Sequence, residues 1–359
     1  MKGSEMLRRA ARWIPGAMLR PFGRPAALFF HGVVPRIVDP RIEINHHTVE
    51  AFRGIATRLR RCFDVLPLDA LDDVLKRPER HKRAIFLMAD DGYANTLEIA
   101  APILEELHLP WTLFVSTQHI DTDEWNPLIL ARLFLYFAPE GSYVLPHFPQ
   151  AIALEATRQR EMIAPYLLEA LKRLSADSAR ESVTAMRNAF PAGQLDSLRI
   201  RFSSERYLTW SEVEALHSRG VEIGAHAHWH WPMNAFQPEN YLHAQARGAR
   251  QAIASRLGKC RHFAYPFGNL GDVSAAAVQA VRDAGYTHAF TTLSGTLGQN
   301  LNPWCLPRYA LRPEEPNLES VLPMLRLADR RVARLNLRAT ATTARPAMTL
   351  ASGTTGPSR

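Results

Sequence analysis

The sequence predicts an α/β protein with a mostly parallel sheet, because short apolar runs alternate with segments of helical periodicity from residue 26 onward. About seven or eight such units can be counted, which favours a sheet closed into a barrel. The chain has 359 residues, 47% of them hydrophobic, so it can bury one large core or two ordinary ones.

The elements follow one another in a regular order. Strands are predicted in AALFFHGV, FDVLPL, AIFLMAD and WTLFVST, with helices around 52–59, 71–75 and 97–107. Further strands are predicted in VEIGAHAH, HFAYP, THAFTT and CLPRYAL, with helices near 241–257 and 272–284. Residues 123–205 interrupt this alternation with apolar helical stretches and are too long for a plain loop, so we expect a helical insertion there.

The positive charge lies at the two ends of the chain. Six basic residues face one acidic residue in 1–25, and seven face one in 326–359, so the rest of the +8 chain carries about −3. This distribution argues against nucleic-acid binding. We predict a basic leader (1–25), a catalytic domain (26–318) and a basic, largely disordered tail (319–359).

Nothing in the leader resembles a secretory signal, and no run approaches the roughly 20 apolar residues that cross a bilayer. The expected location is therefore the cytoplasm, with a peripheral contact between the basic leader and anionic lipid on the inner membrane face as an alternative. Three widely spaced cysteines, Cys62, Cys260 and Cys305, predict reduced core thiols rather than disulfides.

Two adjacent carboxylates, Asp90 and Asp91, follow the apolar run AIFLMA and precede Gly92. In a parallel α/β protein, the working residues collect at the carboxyl ends of the strands. Two buried neighbouring carboxylates would not both stay ionised without partners. A bound cation resolves this conflict: one aspartate can bind the metal while the other acts as general base on water.

The ligands that such a cation needs follow another strand. In EIGAHAHWH, residues 222–230, His226 and His230 are four positions apart, so both imidazoles can reach one ion if the backbone turns. Two imidazoles and one carboxylate are a common ligand set for zinc or a similar divalent ion, with cobalt and manganese as alternatives.

The motifs resemble those of the NodB-type polysaccharide deacetylases, carbohydrate esterase family four. MADDGY is similar to their first motif, HAHWH to the second, FAYPFG to the third and LPRYAL to the fourth. FFHGV resembles the Tyr-His-x-Val element of a permuted subgroup. The resemblance spans residues 26–315 and implies a distorted (β/α) barrel of about seven strands, the NodB homology fold, with a helical insertion.

The resemblance also implies a role for each site residue. It makes Asp90 the base that activates water, and Asp91, His226 and His230 the metal ligands. It makes His31 the acid that protonates the leaving amine, and Arg308 the group that orients or tunes Asp90. The residues expected to line the substrate groove are Tyr265, Pro266, Phe267 and Gly268.

Two positions depart from the family pattern. Ala227 stands where Ser or Thr usually follows the first histidine of the second motif, so a supporting hydrogen bond is absent. Ala264 stands where the third motif often has Arg, which leaves Arg308 as the partner for the base. Neither departure removes a metal ligand.

Structural alternatives exist for each residue. The Asp-Asp-Gly segment can be a helix cap and turn, with Asp91 or Asn95 capping, and His31 can be a buried strand histidine. Arg308 can pair with a surface carboxylate. We expect structural roles for three further histidines, and either core packing or sugar stacking for two tryptophans: His46, His47, His228, Trp229 and Trp231.

The implied activity is hydrolysis of the N-acetyl group of an amino sugar in a glycan or a glycan precursor, such as a lipid-linked oligosaccharide or a nucleotide-linked sugar. A deformylase or another amide hydrolase on the same fold is the first alternative, since the motifs indicate the catalytic groups but not the substrate. The second alternative is a carbohydrate-binding protein without activity.

Overall fold

The structure is a computed structural model that describes residues 24–122 and 124–311. It contains a mixed α/β domain in which a parallel sheet curls into a half-barrel, as the sequence predicted. The predicted tail (319–359) and almost all of the predicted basic leader (1–25) lie outside the described residues. The predictions for them, including membrane contact, therefore stay predictions.

The strands are β1 (Ala26–Phe30), β2 (Gly32–Val34), β3 (His46–Thr48), β4 (Asp64–Val65), β5 (Ala84–Ala89), β6 (Thr112–Val115), β7 (Gly141–Tyr143), β8 (Ile152–Leu154), β9 (Glu222–Ala225), β10 (His262–Ala264), β11 (His288–Phe290) and β12 (Tyr309–Ala310). The main sheet has the order β11-β10-β9-β6-β5-β1-β12, and β4 pairs with the start of β5. All of these pairs are parallel. Consequently, the carboxyl ends of all these strands lie at one end of the half-barrel.

The helices are α1 (Val49–Cys62), α2 (Leu71–Lys76), α3 (Ala101–Glu106), α4 (Pro127–Phe137), α5 (Thr157–Lys172), α6 (Ala176–Asn188), α7 (Gln194–Arg201), α8 (Trp210–Ser218), α9 (Glu239–Leu257) and α10 (Ala275–Asp283). A π-helical turn (Thr96–Ala100) leads into α3, and short 3₁₀ turns include Ser203–Glu205. Within the described ranges, no helix combines the length and the apolar character needed to span a bilayer.

Both faces of the sheet are buried, which explains why its strands are continuously apolar. In β5, alternate residues point in opposite directions. Ile85 and Leu87 pack against the surrounding helices, whereas Phe86 and Met88 fill the interior of the half-barrel. The interior cluster also contains Phe29, and this apolar lining surrounds the groups at the carboxyl ends of the strands.

The insertion between β6 and α8 is mainly helical, as predicted, but it also contains the antiparallel hairpin β7–β8. Sequence periodicity missed this hairpin because each strand has only three residues and β7 is largely exposed and weakly apolar. Trp229 and Trp231 stack on each other, with ring centroids 5.3 Å apart, and pack into the core of the insertion. The core-packing alternative for these tryptophans is therefore confirmed.

The insertion starts from a central position in the sheet. Strand β6 lies between β5 and β9, the two strands that precede the predicted metal ligands. The chain that follows β6 therefore rises directly beside those ligands.

The predicted strand AALFFHGV is divided at His31. β1 belongs to the main sheet, whereas β2 leaves it and pairs with β3. Gly32 is the first residue of β2, and a Cβ atom there would lie 2.7 Å from Asn95 Oδ1 and from the ring of His46. The absence of a side chain at Gly32 is what allows these two polar groups to pack against the backbone beside His31.

We expect Gly32→Ala to lower the free energy of unfolding by roughly 1–3 kcal/mol, because its methyl group must displace Asn95 or His46. Gly54→Ala is the matched control, since a Cβ at this exposed position in α1 meets nothing within 4 Å. The control should stabilise the protein by up to about 1 kcal/mol. Urea unfolding of both variants measures the difference, and equal stabilities would contradict this account of Gly32.

Candidate active site

The two aspartates end β5 with different backbone conformations. Asp90 continues the strand, and its amide donates to the carbonyl of Phe30 on the neighbouring β1 at 3.0 Å. Asp91 has φ 76° and Gly92 has φ 91°, so the chain turns sharply after Asp90. Both aspartates are buried, but the turn separates the surroundings of their carboxylates. Each carboxylate consequently has its own partners.

Asp90 is paired with Arg308, which is completely buried inside the half-barrel. The two guanidinium nitrogens donate to its two carboxylate oxygens at 2.8 and 2.7 Å. Arg308 Nε donates to the carbonyl of Thr291 at 3.1 Å, and the guanidinium lies 4.3 Å from the centre of the Phe29 ring. The alternative of a surface ion pair for Arg308 is therefore wrong.

This pairing sets the protonation state of Asp90. Burial alone would raise the pKa of the carboxyl group, but the positive charge of Arg308 and its hydrogen bonds outweigh burial. The net effect is that the pKa of Asp90 lies below its ordinary value. Asp90 is therefore ionised at neutral pH.

Asp91 faces the histidine pair instead. Its Oδ1 atom lies 3.2 Å from His226 Nε2 and 2.9 Å from His230 Nε2. Burial would raise the pKa of Asp91, but the charges of the two histidines hold it well below its ordinary value. One ligand atom from each residue lies within 4.8 Å of the other two, and all three residues are buried.

The three residues fit a divalent cation. Asp91 Oδ1 is buried and has no hydrogen bond of normal geometry, despite its two close imidazole nitrogens. His226 Nδ1 lies 2.8 Å from the carbonyl of Ala264, which can only accept, so this nitrogen carries the proton and Nε2 is free to bind an ion. Two imidazoles and a carboxylate are donors that zinc prefers.

Two polar residues that the sequence did not reveal support His230. The amide of Asn126 contacts His230 Nδ1 at 2.9 Å, while its Oδ1 atom accepts from the amide of Leu128 and caps α4. Ser116 Oγ accepts from the amide of His230 at 3.2 Å and donates to the carbonyl of His228 at 3.3 Å. Both residues come from the segment that follows β6, far away in sequence.

Ser116 also explains how the second motif tolerates an alanine. Ala227 adopts φ 60°, a left-handed conformation that an L-residue rarely takes, and its side chain is buried. The supporting hydrogen bonds come from the neighbouring loop instead, through Ser116 and through Thr117, whose Oγ1 lies 2.8 Å from His228 Nδ1. His228 thus makes a structural contact, in line with expectation.

His31 lies beside Asp90 across the sheet. The register pairs Phe30 with Ala89, so the next residues along the two parallel strands, His31 and Asp90, are neighbours. The imidazole is half-buried and lies edge-on to Phe29, with ring centroids 5.6 Å apart. Burial lowers the pKa of His31, although the charges of Asp91 and Asp90 oppose this effect. The imidazole is therefore mainly neutral at neutral pH.

The four predicted groove residues do not all face a groove. Tyr265 is fully buried in the core, where its hydroxyl donates to the carbonyl of Trp304 at 3.1 Å, and Pro266 is buried too. The expectation that Tyr265 lines the groove is therefore wrong, because its side chain points into the core between sheet and helices. Phe267 is half-buried, and its ring lies edge-on to His230 at 4.9 Å.

Gly268 follows with φ 62° and packs tightly on the loop after β11. A Cβ atom there would lie 2.7 Å from the amide nitrogen of Thr292. Gly268 therefore lets the backbone of its own loop pack closely against the backbone of Thr292, and it offers no side chain to the groove.

The other histidines and the proposed cap have structural contacts. His46 and His47 form β3 immediately before α1, and their Nε2 atoms contact the carbonyls of Ser204 and Leu311 at 3.2 and 2.9 Å. Asn95 makes no side-chain cap but accepts from the amide of Val33 at 3.1 Å. The helix-cap alternative for the Asp-Asp-Gly segment therefore does not describe this site.

Known proteins provide an independent comparison. The chain matches the family model described as polysaccharide deacetylase over residues 77–289, a segment that includes both aspartates and both histidines of the site. His31 and Arg308 lie outside this segment. His31 follows β1 and Arg308 precedes β12, and the pairing of these strands in the main sheet places both residues at the site. A search of curated proteins gave no match.

Two solved structures resemble the fold. The deacetylase PplD of Streptococcus pyogenes, determined in complex with acetate, is 15% identical with a TM-score of 0.53, and the match covers 83% of this chain and 98% of that chain. IcaB from Ammonifex degensii is 13% identical with a TM-score of 0.53, and the match covers 84% of this chain and 97% of that chain. At these identities the structures establish the fold alone. Because the family model covers more than half of the sequence, the chain belongs to the polysaccharide deacetylase family and is a deacetylase enzyme.

Proposed function

We propose that this deacetylase is metal-dependent and removes the N-acetyl group of an amino sugar in a glycan or a glycan precursor. The observation that carries this proposal is the convergence of Asp91, His226 and His230 beside Asp90, whose charge Arg308 balances separately. Among the described residues, Asp91 has no guanidinium partner of its own, so its buried carboxylate favours the binding of a positive ion between it and the two imidazoles.

Asp91, His226 and His230 would hold the ion. A divalent cation bound there supplies a Lewis acid for the acyl carbonyl and promotes ionisation of water. The remaining chemistry is assigned to groups of this chain. Asp90 accepts a proton from the attacking water, since it is ionised and Arg308 holds its carboxylate in one orientation.

His31 would return a proton to the leaving nitrogen. Its pKa is lowered, so little imidazolium is present before reaction at neutral pH. A proton therefore has to reach His31 during the reaction, and Asp90 on the neighbouring strand is the group that has just accepted one. Protonated His31 can then donate to the amine as the carbon–nitrogen bond breaks.

The N-acetyl group is the acyl group that the family and its relatives favour. The structure of the S. pyogenes relative contains acetate, which is the acid product of N-acetyl hydrolysis. A deformylase would release formate instead, so the acid product distinguishes the two activities. The insertion, which rises from β6 beside the metal ligands, is the element best placed to select the glycan.

We expect acetate release from N-acetylated oligosaccharides, tested both free and lipid-linked, to disappear after chelation and to return with zinc, cobalt or manganese. Asp90→Asn should lower kcat by at least about 100-fold, because it removes the proton acceptor. Acetate and formate are measured enzymatically in the same samples. Full activity in metal-free protein would contradict the proposal, and formate release alone would replace the acetyl assignment.

Arg308→Gln should shift the acidic limb of the pH profile of kcat/KM to higher pH. Arg308 lowers the pKa of Asp90, so removal of this charge lets the base protonate at higher pH. Arg308→Lys keeps the charge and should show a smaller shift. In the parent protein, the pair stabilises the fold above the unfolded pKa of Asp and ceases to do so as pH falls through the folded pKa. If the acidic limb is unchanged in Arg308→Gln, then Arg308 does not set the pKa of the catalytic base.

Asn126→Ala should weaken zinc binding by about 10–100-fold, because the Asn126 side chain holds the ring of His230 in position from the side that faces away from the ion. It should also cost about 1 kcal/mol of stability through the lost cap of α4. Ser175→Ala removes the equivalent cap of α6, which contacts no metal ligand, and is the matched control. Calorimetric zinc titration of both variants gives the comparison, and equal affinities would exclude a role for Asn126 at the ion.

A further inference from the structure

Lys172 is the last residue of α5 and joins the insertion to the loops that follow β9 and β10. Its carbonyl oxygen accepts a hydrogen bond from the buried side chain of Asn234, four residues after His230, at 3.0 Å. Its ammonium group lies 3.5 Å from Asp272 Oδ1 in the loop after β10. One residue of the insertion therefore contacts both the loop that carries the metal-binding histidines and the loop that carries Phe267.

The ammonium group of Lys172 also contacts an aromatic ring of the site. It lies 5.5 Å from the centre of the Phe267 ring, within the range of a cation–π interaction. The same ring meets His230 edge-on, with ring centroids 4.9 Å apart. Phe267 therefore contacts both a cation of the insertion and an imidazole of the proposed metal site. The Lys172 side chain is only 17% exposed, so water screens its charge only in part.

Phe267 has a backbone conformation that its surroundings must impose. Its φ angle is 61°, a left-handed conformation that a bulky residue rarely adopts. The hydroxyl of Thr292 donates to the carbonyl of Phe267, and the amide of Thr292 donates to the carbonyl of Gly268 at 3.0 Å. These bonds act on the main chain, so the orientation of the ring depends on its side-chain neighbours, which include Lys172 and His230.

Two carboxylates fix the direction of the Lys172 side chain. Glu169 Oε2, one turn earlier in α5, lies 2.9 Å from the ammonium group. Asp272 is 6% exposed, and its other carboxylate oxygen accepts from the amide of Asn269 at 3.3 Å, which closes the turn after Gly268. The ammonium group thus has two anionic partners and one aromatic partner, and together they hold it beside the Phe267 ring.

The insertion makes a second contact of the same kind. Arg180 in α6 lies 4.3 Å from the centre of the Trp229 ring. Trp229 directly precedes His230 and is buried against Trp231. Two cations of the insertion therefore pack on aromatic residues of the two loops. Lys172 is the cation whose aromatic partner was predicted to line the substrate groove.

We propose that Lys172 is a positioning residue of this deacetylase, which holds Phe267 against His230 and thereby fixes the wall of the substrate groove beside the proposed metal site. The proposal rests on the proposed function for the identity of the substrate, but the contact itself does not depend on turnover. Lys172 acts through Phe267 rather than through the base Asp90, so glycan binding is the step that it affects.

Fluorine NMR of the full chain, with Phe267 replaced by 4-fluorophenylalanine, observes the ring directly. Lys172→Met should move this resonance toward that of free 4-fluorophenylalanine and should increase its shift between H₂O and D₂O, because the ring becomes more mobile and more exposed. Lys172→Arg should keep the parent position, because a guanidinium group retains the charge and the cation–π contact. An unchanged resonance in Lys172→Met would overturn the proposal.

Arg173→Met is the matched control. Arg173 pairs with the other oxygen of Glu169, at 3.6 Å, from a side chain that is 65% exposed. This variant removes the same charge from the same end of α5 and should leave the fluorine resonance unchanged. An equal displacement in Arg173→Met and Lys172→Met would indicate a general effect of charge and would also overturn the proposal.

Kinetics on N-acetylated oligosaccharides separate positioning from a purely structural effect. Lys172→Met should raise KM by about tenfold and keep kcat within about threefold, since Phe267 is expected to contact the glycan whereas Asp90 accepts the proton. Lys172→Arg should restore most of the parent KM, and Arg173→Met should match the parent. A lower kcat at unchanged KM in Lys172→Met would contradict the proposal. If even the parent releases no acetate, the proposed function fails, whereas the fluorine spectra still decide the role of Lys172.

Discussion

Two neighbouring carboxylates end a central strand in the protein interior, and each needs positive charge of its own. The fold meets this requirement from two directions. Arg308 reaches Asp90 from inside the half-barrel, where Phe29 lies against its guanidinium group. Asp91 turns away through its left-handed conformation and meets His226 and His230. The separation lets one carboxylate act as a base while the other holds an ion, which is the division of labour that the proposed hydrolysis requires.

The insertion is part of the same arrangement, because it starts from the strand between the two strands that carry the metal ligands. Ser116 and Asn126, in the chain that leads from β6 into α4, support the backbone and the imidazole of His230. The chain that supports His230 is therefore the start of the insertion, so changes in the insertion are expected to affect this ligand as well.

Sequence reasoning reached the parallel α/β class, the order of the main strands and the residues that meet in the site, because these depend on local periodicity and on short motifs. It missed Ser116 and Asn126, whose contacts with His230 span more than a hundred residues and leave no local pattern. The positive φ angles of Asp91 and Ala227 were also invisible, since tertiary contacts impose them on residues that rarely adopt them. Tyr265 was wrongly predicted to line the groove, because a sequence motif does not define the direction of a side chain.

Zinc-edge anomalous diffraction from crystals of the protein grown with zinc would show whether Asp90 and Asp91 have these separate roles. We expect one strong peak at about 2.0–2.2 Å from a carboxylate oxygen of Asp91 and from the Nε2 atoms of His226 and His230. Asp90 should remain paired with Arg308 through both oxygens. A peak bonded to Asp90, or an Asp90 carboxylate released from Arg308, would mean that the two aspartates do not divide the roles of base and metal ligand.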